Sequence, residues 1–247
     1  MDGPPSPLEL IEAWDPDRRR GDHARLSALL RAGEGEAAIA EDTLGQRHRR
    51  LLLLHRAVVG RPIEAMVACG HCGTRSEFVV PAQAILAEPP PDPGATVEIR
   101  AGRRRLAFRL PRMSDLAAVA GLEDAEALRE ALARRCLVGH GEVPADRLEA
   151  LGERWEALDP AASIVVNIDC AGCGRAIAAS VDLAGFVARD LDRLVDGLLR
   201  DIDTIASAYG WSEAAILALP PARRARYVAL IANARAPARP ALAEGWA

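Results

Sequence analysis

Two short segments alternate apolar and polar positions with a period of two, Ile63-Glu64-Ala65-Met66-Val67 and Ile164-Val165-Val166-Asn167-Ile168, and each predicts a strand. Each runs into a pentapeptide of one design, Cys69-Gly70-His71-Cys72-Gly73 and Cys170-Ala171-Gly172-Cys173-Gly174. The likeness continues downstream: Val80 and Val181 both fall eight residues after the second cysteine, and Ile85 and Phe186 both fall thirteen after it. Strand, knuckle, strand and helix start are therefore written twice.

Elsewhere the apolar period is that of helices. Residues 8–15 and 22–32 read as short helices separated by the turn-rich Asp15-Pro16-Asp17. Thr43 with Gln46 forms a capping box for a helix that carries Leu44, Leu51, Leu52, His55 and Val58, runs to about Val59 and stops at Gly60. Glu88-Pro89-Pro90-Pro91-Asp92-Pro93-Gly94 is a stiff linker that ends any helix begun near Gln83. Beyond it, Val97-Glu98-Ile99 and Leu106-Ala107-Phe108-Arg109-Leu110 flank Ala101-Gly102-Arg103, which predicts a hairpin. Ser114 is the expected cap of the next helix, with Asp115 at its positive end. Helices at about 122–136 and 144–157 follow, closed by Asp159-Pro160.

From Leu183 a long helix places Phe186, Val187, Leu191, Leu194, Val195, Leu198, Ile202 and Ile205 on one broad face, with Asp190, Asp192, Asp196, Asp201 and Asp203 making an acidic outer side. That stripe reads as core-packing, and alternatively as a docking face for another helical protein. Tyr209-Gly210-Trp211-Ser212 stops the helix at its glycine and caps a new one at Ser212, and Pro220-Pro221 starts the last helix, to Ile231. The stretch 234–240 reads as disordered, and Trp246 as an incidental residue of the tail.

Together these elements predict an α+β fold: a split four-cysteine zinc ribbon, made of two β knuckles, with an inserted β-hairpin and helical subdomain and flanking α-helices. The divisions are 1–60, an N-terminal helical region; 61–89, the first ribbon half; 90–160, the insertion; 161–187, the second ribbon half; 188–232, a C-terminal helical hook; and 233–247, the tail.

Cys69, Cys72, Cys170 and Cys173 are the expected metal ligands, because structural zinc takes four soft donors in a tetrahedron and two such turns supply them without histidine. Ribbon halves are usually about 15–20 residues apart, so the long stretch between these two is an insertion. A thioredoxin-type redox pair needs only one CxxC opening a helix, whereas a second strand follows each pair here. His71 reads as loop filling. Cys136, alone at a helix end, reads as a buried inert thiol. His48 and His55 lie seven apart on one helix without a third ligand and read as exposed or satisfied side chains.

Composition narrows the function classes. The 247 residues are half apolar, enough to bury one large core or two small ones. A net charge of −4 argues against a general nucleic-acid binder, which needs surplus basic residues to neutralise phosphates. All 31 basic residues are arginine, and the cluster Arg103-Arg104-Arg105 reads as a solvated turn. The chain start lacks the regions of a secretory signal and no apolar run suits a membrane span, so a cytoplasmic protein is expected, in which thiols favour metal over disulfides. No phosphate loop, nucleophile elbow, HExxH or paired-carboxylate arrangement occurs in a confirming context, and Glu34, Glu36, Glu41 and Asp42 read as solvated loop acids, so a non-enzymatic protein is expected.

Three segments carry a resemblance: the paired knuckles at Cys69/Cys72 and Cys170/Cys173, the phrase Leu106-Ala-Phe-Arg-Leu-Pro-Arg-Met-Ser-Asp-Leu-Ala-Ala-Val-Ala-Gly121, and the phrase Ile205-Ala-Ser-Ala-Tyr-Gly-Trp-Ser-Glu-Ala-Ala-Ile-Leu-Ala-Leu-Pro220. In order and content, over roughly residues 40–232, the chain resembles the baseplate hub assembly chaperones of T-even-like phages and related contractile injection systems. The resemblance implies a non-enzymatic assembly factor or baseplate accessory protein whose partner is a hub, spike or tape-measure protein. A partner surface is expected on the hook around Tyr209, Trp211 and Tyr227, because aromatics are scarce in this chain and gather there between an aspartate-rich helix and an arginine-rich one. The alternative from another class is a zinc-ribbon nucleic-acid-binding or regulatory factor, yet only Arg75 and Arg175 lie near the knuckles.

Overall fold

In the computed structural model, which describes residues 5–14, 21–92, 94–102 and 104–235, four helices precede the first knuckle: α1 (Pro7–Trp14), α2 (Asp22–Glu34), α3 (Glu36–Glu41) and α4 (Leu44–Val58). The capping box of α4 is present, with Gln46 N donating to Thr43 Oγ1 at 3.2 Å and Thr43 N donating to Gln46 Oε1 at 2.8 Å. Antiparallel strands β1 (Glu64–Ala68) and β2 (Arg75–Val79) form the first hairpin, and α5 (Ala82–Ala87) ends at Glu88, where the proline run begins.

The insertion builds a sheet of order β3-β4-β5 from β3 (Thr96–Ala101), β4 (Arg104–Arg109) and β5 (Leu137–Val138). Helices α6 (Met113–Val119) and α7 (Ala125–Cys136) lie between β4 and β5, and α8 (Leu148–Leu158) follows. Register pairs Val97 with Phe108 and Ile99 with Leu106, which puts four apolar side chains on one face. They pack with Ala133, Leu148 and Leu151 into a core of the insertion's own.

The second hairpin, β6 (Val165–Asp169) and β7 (Ala176–Ser180), runs into α9 (Leu183–Tyr209), followed by α10 (Glu213–Leu217) and α11 (Pro221–Arg235). The apolar stripe of α9 faces inward: Val187, Leu191 and Val195 are fully buried among Trp14, Leu26, Leu51 and Leu52. Ile63, Val80, Ile164 and Val181, at the bases of the two knuckles, belong to this same core. A third cluster, Ile205, Ile216 and Ile231, folds the hook onto the end of α9. Gly210 takes φ +68° to stop that helix, and Ser212 Oγ accepts from Ala215 N at 3.3 Å to cap α10. Among the described residues no helix is long and apolar enough to cross a membrane.

The insertion is tied at two points to the segment that opens α4. At the junction of β4 and α6, Thr43 and Arg112 bridge, Met113 N donates to Asp42 O at 2.8 Å, and Arg112 pairs with Glu41. At the insertion's end, Gly45 N donates to Asp159 Oδ2 at 3.0 Å, and a Cβ on Gly45 would lie 1.8 Å from Asp159 Oδ1, so the approach requires glycine. His48 is buried beside it, and since Ala161 O only accepts, Nδ1 carries the proton of their 2.7 Å bond.

Burial holds His48 below its usual 6.5. The unfolded chain then binds a proton more readily than the native one, so the stability from neutral His48 is present above 6.5 and is lost as pH falls through the depressed native value. The unfolding free energy from urea denaturation is expected to drop between pH 7.5 and pH 5 with a slope of up to about 1.4 kcal/mol per pH unit from this residue. His48→Gln should flatten that part of the slope, and identical pH profiles for the two proteins would reject the assignment.

Several local expectations are corrected. Ser114 does not cap α6: Arg112 is the cap residue, and buried Asp115 accepts from Arg112 N at 3.1 Å, from Arg109 at 2.5 and 3.0 Å, and from Arg135 at 3.1 Å. The helix expected from 122 starts at Ala125, because Asp124 caps it by accepting from Ala127 N at 2.7 Å. Glu36 and Glu41 lie on α3, not in a loop, and Asp42 is buried and paired with Arg50 at 2.6 Å. The last helix runs through Arg235, past Asn233, so the tail expected from 233 begins inside it. His55, by contrast, meets one of its two expected readings: it is buried and bonded to Asp190 Oδ2 at 2.9 Å, a satisfied core histidine. The turn at Asp15-Pro16-Asp17, Arg103 of the arginine cluster, and the tail from 236 with Trp246 lie outside the described residues.

Candidate metal centre

Each knuckle is shaped by the same backbone bonds at matching positions. Cys69 N donates to Thr74 O at 2.9 Å and Gly73 N to Cys69 O at 2.9 Å; Cys170 N donates to Arg175 O at 2.8 Å and Gly174 N to Cys170 O at 2.9 Å. Gly73 and Gly174 take φ +75° and +72°, the left-handed turn that returns the chain into its second strand. The base of each hairpin repeats as well: Val80 N donates to Ile63 O, and Val181 N to Ile164 O.

The two turns face each other. Cys69 Sγ lies 3.8 Å from Cys173 Sγ and Cys72 Sγ 3.5 Å from Cys170 Sγ, and all four sulfurs fall within 4.8 Å of one another without a disulfide. Four thiolates at the usual zinc distance of about 2.3 Å form a tetrahedron with edges of about 3.8 Å. The cluster can therefore hold a metal ion of that size. The first cysteine of each knuckle, Cys69 and Cys170, is buried, and the second, Cys72 and Cys173, is exposed, so each close pair joins an inner thiol of one hairpin to an outer thiol of the other.

Contacts between the hairpins hold this arrangement. Ala171 N donates to the buried Ser76 Oγ at 3.1 Å, and a Cβ on Gly172 would meet Thr74 Oγ1 at 2.4 Å. Ser76, Thr74 and Gly172 are thus functional in the sense of bringing the halves together, and sequence reasoning missed them. The one available signal was a serine at an inward-facing strand position of β2.

Electrostatics favour thiolates at two positions. Cys170 is lowered to about 6, chiefly by backbone N–H groups of Cys173 and Gly172, the latter 3.4 Å from its sulfur. Cys72 is lowered by hydrogen bonds from the Thr74 side chain and backbone. At Cys173 a backbone N–H from Arg175 pulls the thiol down, but its three neighbouring sulfurs, with some loss of solvent around the cluster, push it up to about 12. Sulfurs this crowded cannot all ionise alone, and a divalent cation removes that conflict. His71 is exposed and stands outside the four-sulfur cluster. Cys136 is fully buried, its thiol pushed up to about 12 by burial.

The expected partner residues gather at the far end of α9, about 40 Å of helix from its start at Leu183. Tyr209 stacks on Trp211 with ring centroids 5.2 Å apart, and Tyr227 meets them edge-on at 5.8 and 5.1 Å. Tyr209 is 45% and Trp211 37% exposed, while Tyr227 packs on the third cluster, so the group joins core to surface. Compared with known proteins, the chain matches no family model, no curated protein and no solved structure.

Proposed function

We propose that Cys69, Cys72, Cys170 and Cys173 hold one structural zinc ion, forming a split zinc ribbon, and that the protein is a non-enzymatic assembly chaperone or accessory protein for the baseplate of a phage tail-like contractile injection system. The observation that carries the metal assignment is the four-sulfur cluster, closed by two hairpins of like build. Catalytic zinc keeps a coordination position for substrate, whereas four thiolates leave none. Iron would fit the same donors, but zinc suits a site whose role is to join two halves of one core.

The assembly role is supported by the three resembling segments, two of which fall on β4–α6 and on the α9–α10 junction. In this reading the protein works in the cytoplasm of the bacterial or infected cell, and Tyr209, Trp211 and Tyr227 contact a hub, spike or tape-measure protein. Deleting the gene in its host should leave sheath and tube subunits expressed but contractile particles absent or without a proper baseplate. Wild-type protein should restore them, and Trp211→Ala should not, although its metal content and thermal midpoint stay near wild type. Normal particle yield and shape in the deletion strain would reject the role.

A further inference from the structure

We propose that the groove between α7 and α8 is a docking site for a basic amphipathic helix of a partner protein. Both helices pack against the insertion's sheet, and their outer sides leave two depressions of about 610 and 350 Å³ that share Leu132, Gly152, Trp155 and Glu156. The two adjoin at these four residues and together form the groove. Leu132, Leu148 and Trp155 supply its apolar lining, and the Trp155 indole is held in place by donating to Arg109 O at 3.1 Å.

Charge on the rim selects the partner. Glu126, Glu149, Glu153 and Glu156 line the groove, all exposed and none ion-paired among the described residues, against Arg129 as the one basic lining residue. In a chain with 31 arginines this is a marked local excess of acid. It attracts arginine- or lysine-rich segments and repels nucleic acid.

Gly152 is the independent sign that a backbone comes close. It sits inside α8, where glycine costs about 1 kcal/mol relative to alanine. A Cβ there would meet nothing within 4 Å, so internal packing does not require its absence. A bare helix backbone in the floor of a groove lets a second helix approach closely. The 11 residues of α8 span about 16 Å, which matches some three turns of an incoming helix. The larger depression, with its four glutamates and Gly152, is lined wholly by the insertion, which has its own core, while Leu44, Ala162 and Ser163 close the far end of the smaller one; none of the knuckle residues takes part, so this inference stands whether or not the knuckles bind zinc.

The test uses full-length, metal-loaded protein and a fluorescein-labelled 18-residue amphipathic helix with leucine on one face and arginine on the other, followed by anisotropy. Binding is expected to weaken at least tenfold with Gly152→Leu, which fills the groove, and at least tenfold with the triple change Glu149→Gln, Glu153→Gln and Glu156→Gln. It should also fall as salt is raised, and a version with glutamate in place of arginine should not bind. Thermal midpoints establish that each variant is folded; should Gly152→Leu unfold, the exposed-surface triple variant decides the matter. Absence of binding, or equal binding by wild type and the triple variant, would overturn the proposal. So would a chain that self-associates and becomes monomeric with Gly152→Leu, since the groove would then hold a second copy.

Discussion

Protein purified without added metal is expected to carry one zinc ion per chain, and the Cys69→Ser/Cys170→Ser variant none. These two residues are the inner, buried thiols of the cluster, each close to an outer thiol of the opposite hairpin, so their loss breaks both contacts at once. Structural zinc contributes on the order of 10–16 kcal/mol to folding in small zinc modules, comparable with the 5–15 kcal/mol stability of a whole domain. Because Ile63, Val80, Ile164 and Val181 join both knuckles to the main core, stripping the metal should loosen the two hairpins together and lower the stability of the helices beneath. Thiol titration offers a second readout. Cys136 is fully buried, so the metal-loaded protein should show almost no fast-reacting thiol and the stripped protein four. Metal-free protein that is stably folded with four reactive thiols would overturn the assignment.

Leu191→Ala is expected to cost about 2–5 kcal/mol of unfolding free energy, the range for emptying a large buried apolar site. Leu191 is fully buried on α9, in the core cluster that also contains Trp14, Leu26, Leu51 and Leu52 from three other helices. Leu230→Ala is the contrast, because half of that side chain is exposed and its loss should change stability by no more than about 0.5 kcal/mol. Urea denaturation of the two variants measures the difference. Similar losses at both positions would mean that the stripe on α9 is not what organises the core.

Much of this architecture was legible because its determinants are local. Thr43 with Gln46, Gly210 and Ser212 announce helix ends through bonds made within a few residues, and those ends lie where expected. The knuckles were legible for the same reason: thiol spacing and the glycine after it define one turn. What escaped was long-range. Ser114 was a sound local cap, but the cap is Arg112, whose N–H is taken by Asp115, and Arg109 and Arg135, from β4 and α7, converge on that carboxylate. The bonds from Met113 to Asp42 and from Gly45 to Asp159 join residues far apart in the chain, and no periodicity signals such a bond. Likewise, the cysteine spacing pointed to four thiols that could share a metal but not to the pairing of inner and outer thiols across the hairpins, which depends on Ser76 and Gly172. The groove over Gly152 was invisible for another reason: a glycine inside a helix reads as a weak helix former until the space around it is known.

The sequence distance between the thiols has a consequence for how the protein is made. Cys170 is 98 residues beyond Cys72, its close neighbour in the folded chain. At about 5–20 residues per second, a ribosome needs some 5–20 s to travel that distance. For all of that interval the nascent chain presents a two-thiol turn that cannot close a tetrahedral shell. Meanwhile the intervening sheet and helices can gather their own core, which is complete by Leu151. A metal ion held by all four thiols would therefore be captured only after the second turn has been synthesised. A chain broken off earlier is left with an open pair of thiols and the apolar bases of one hairpin exposed, and such unpacked chain is what proteases cut.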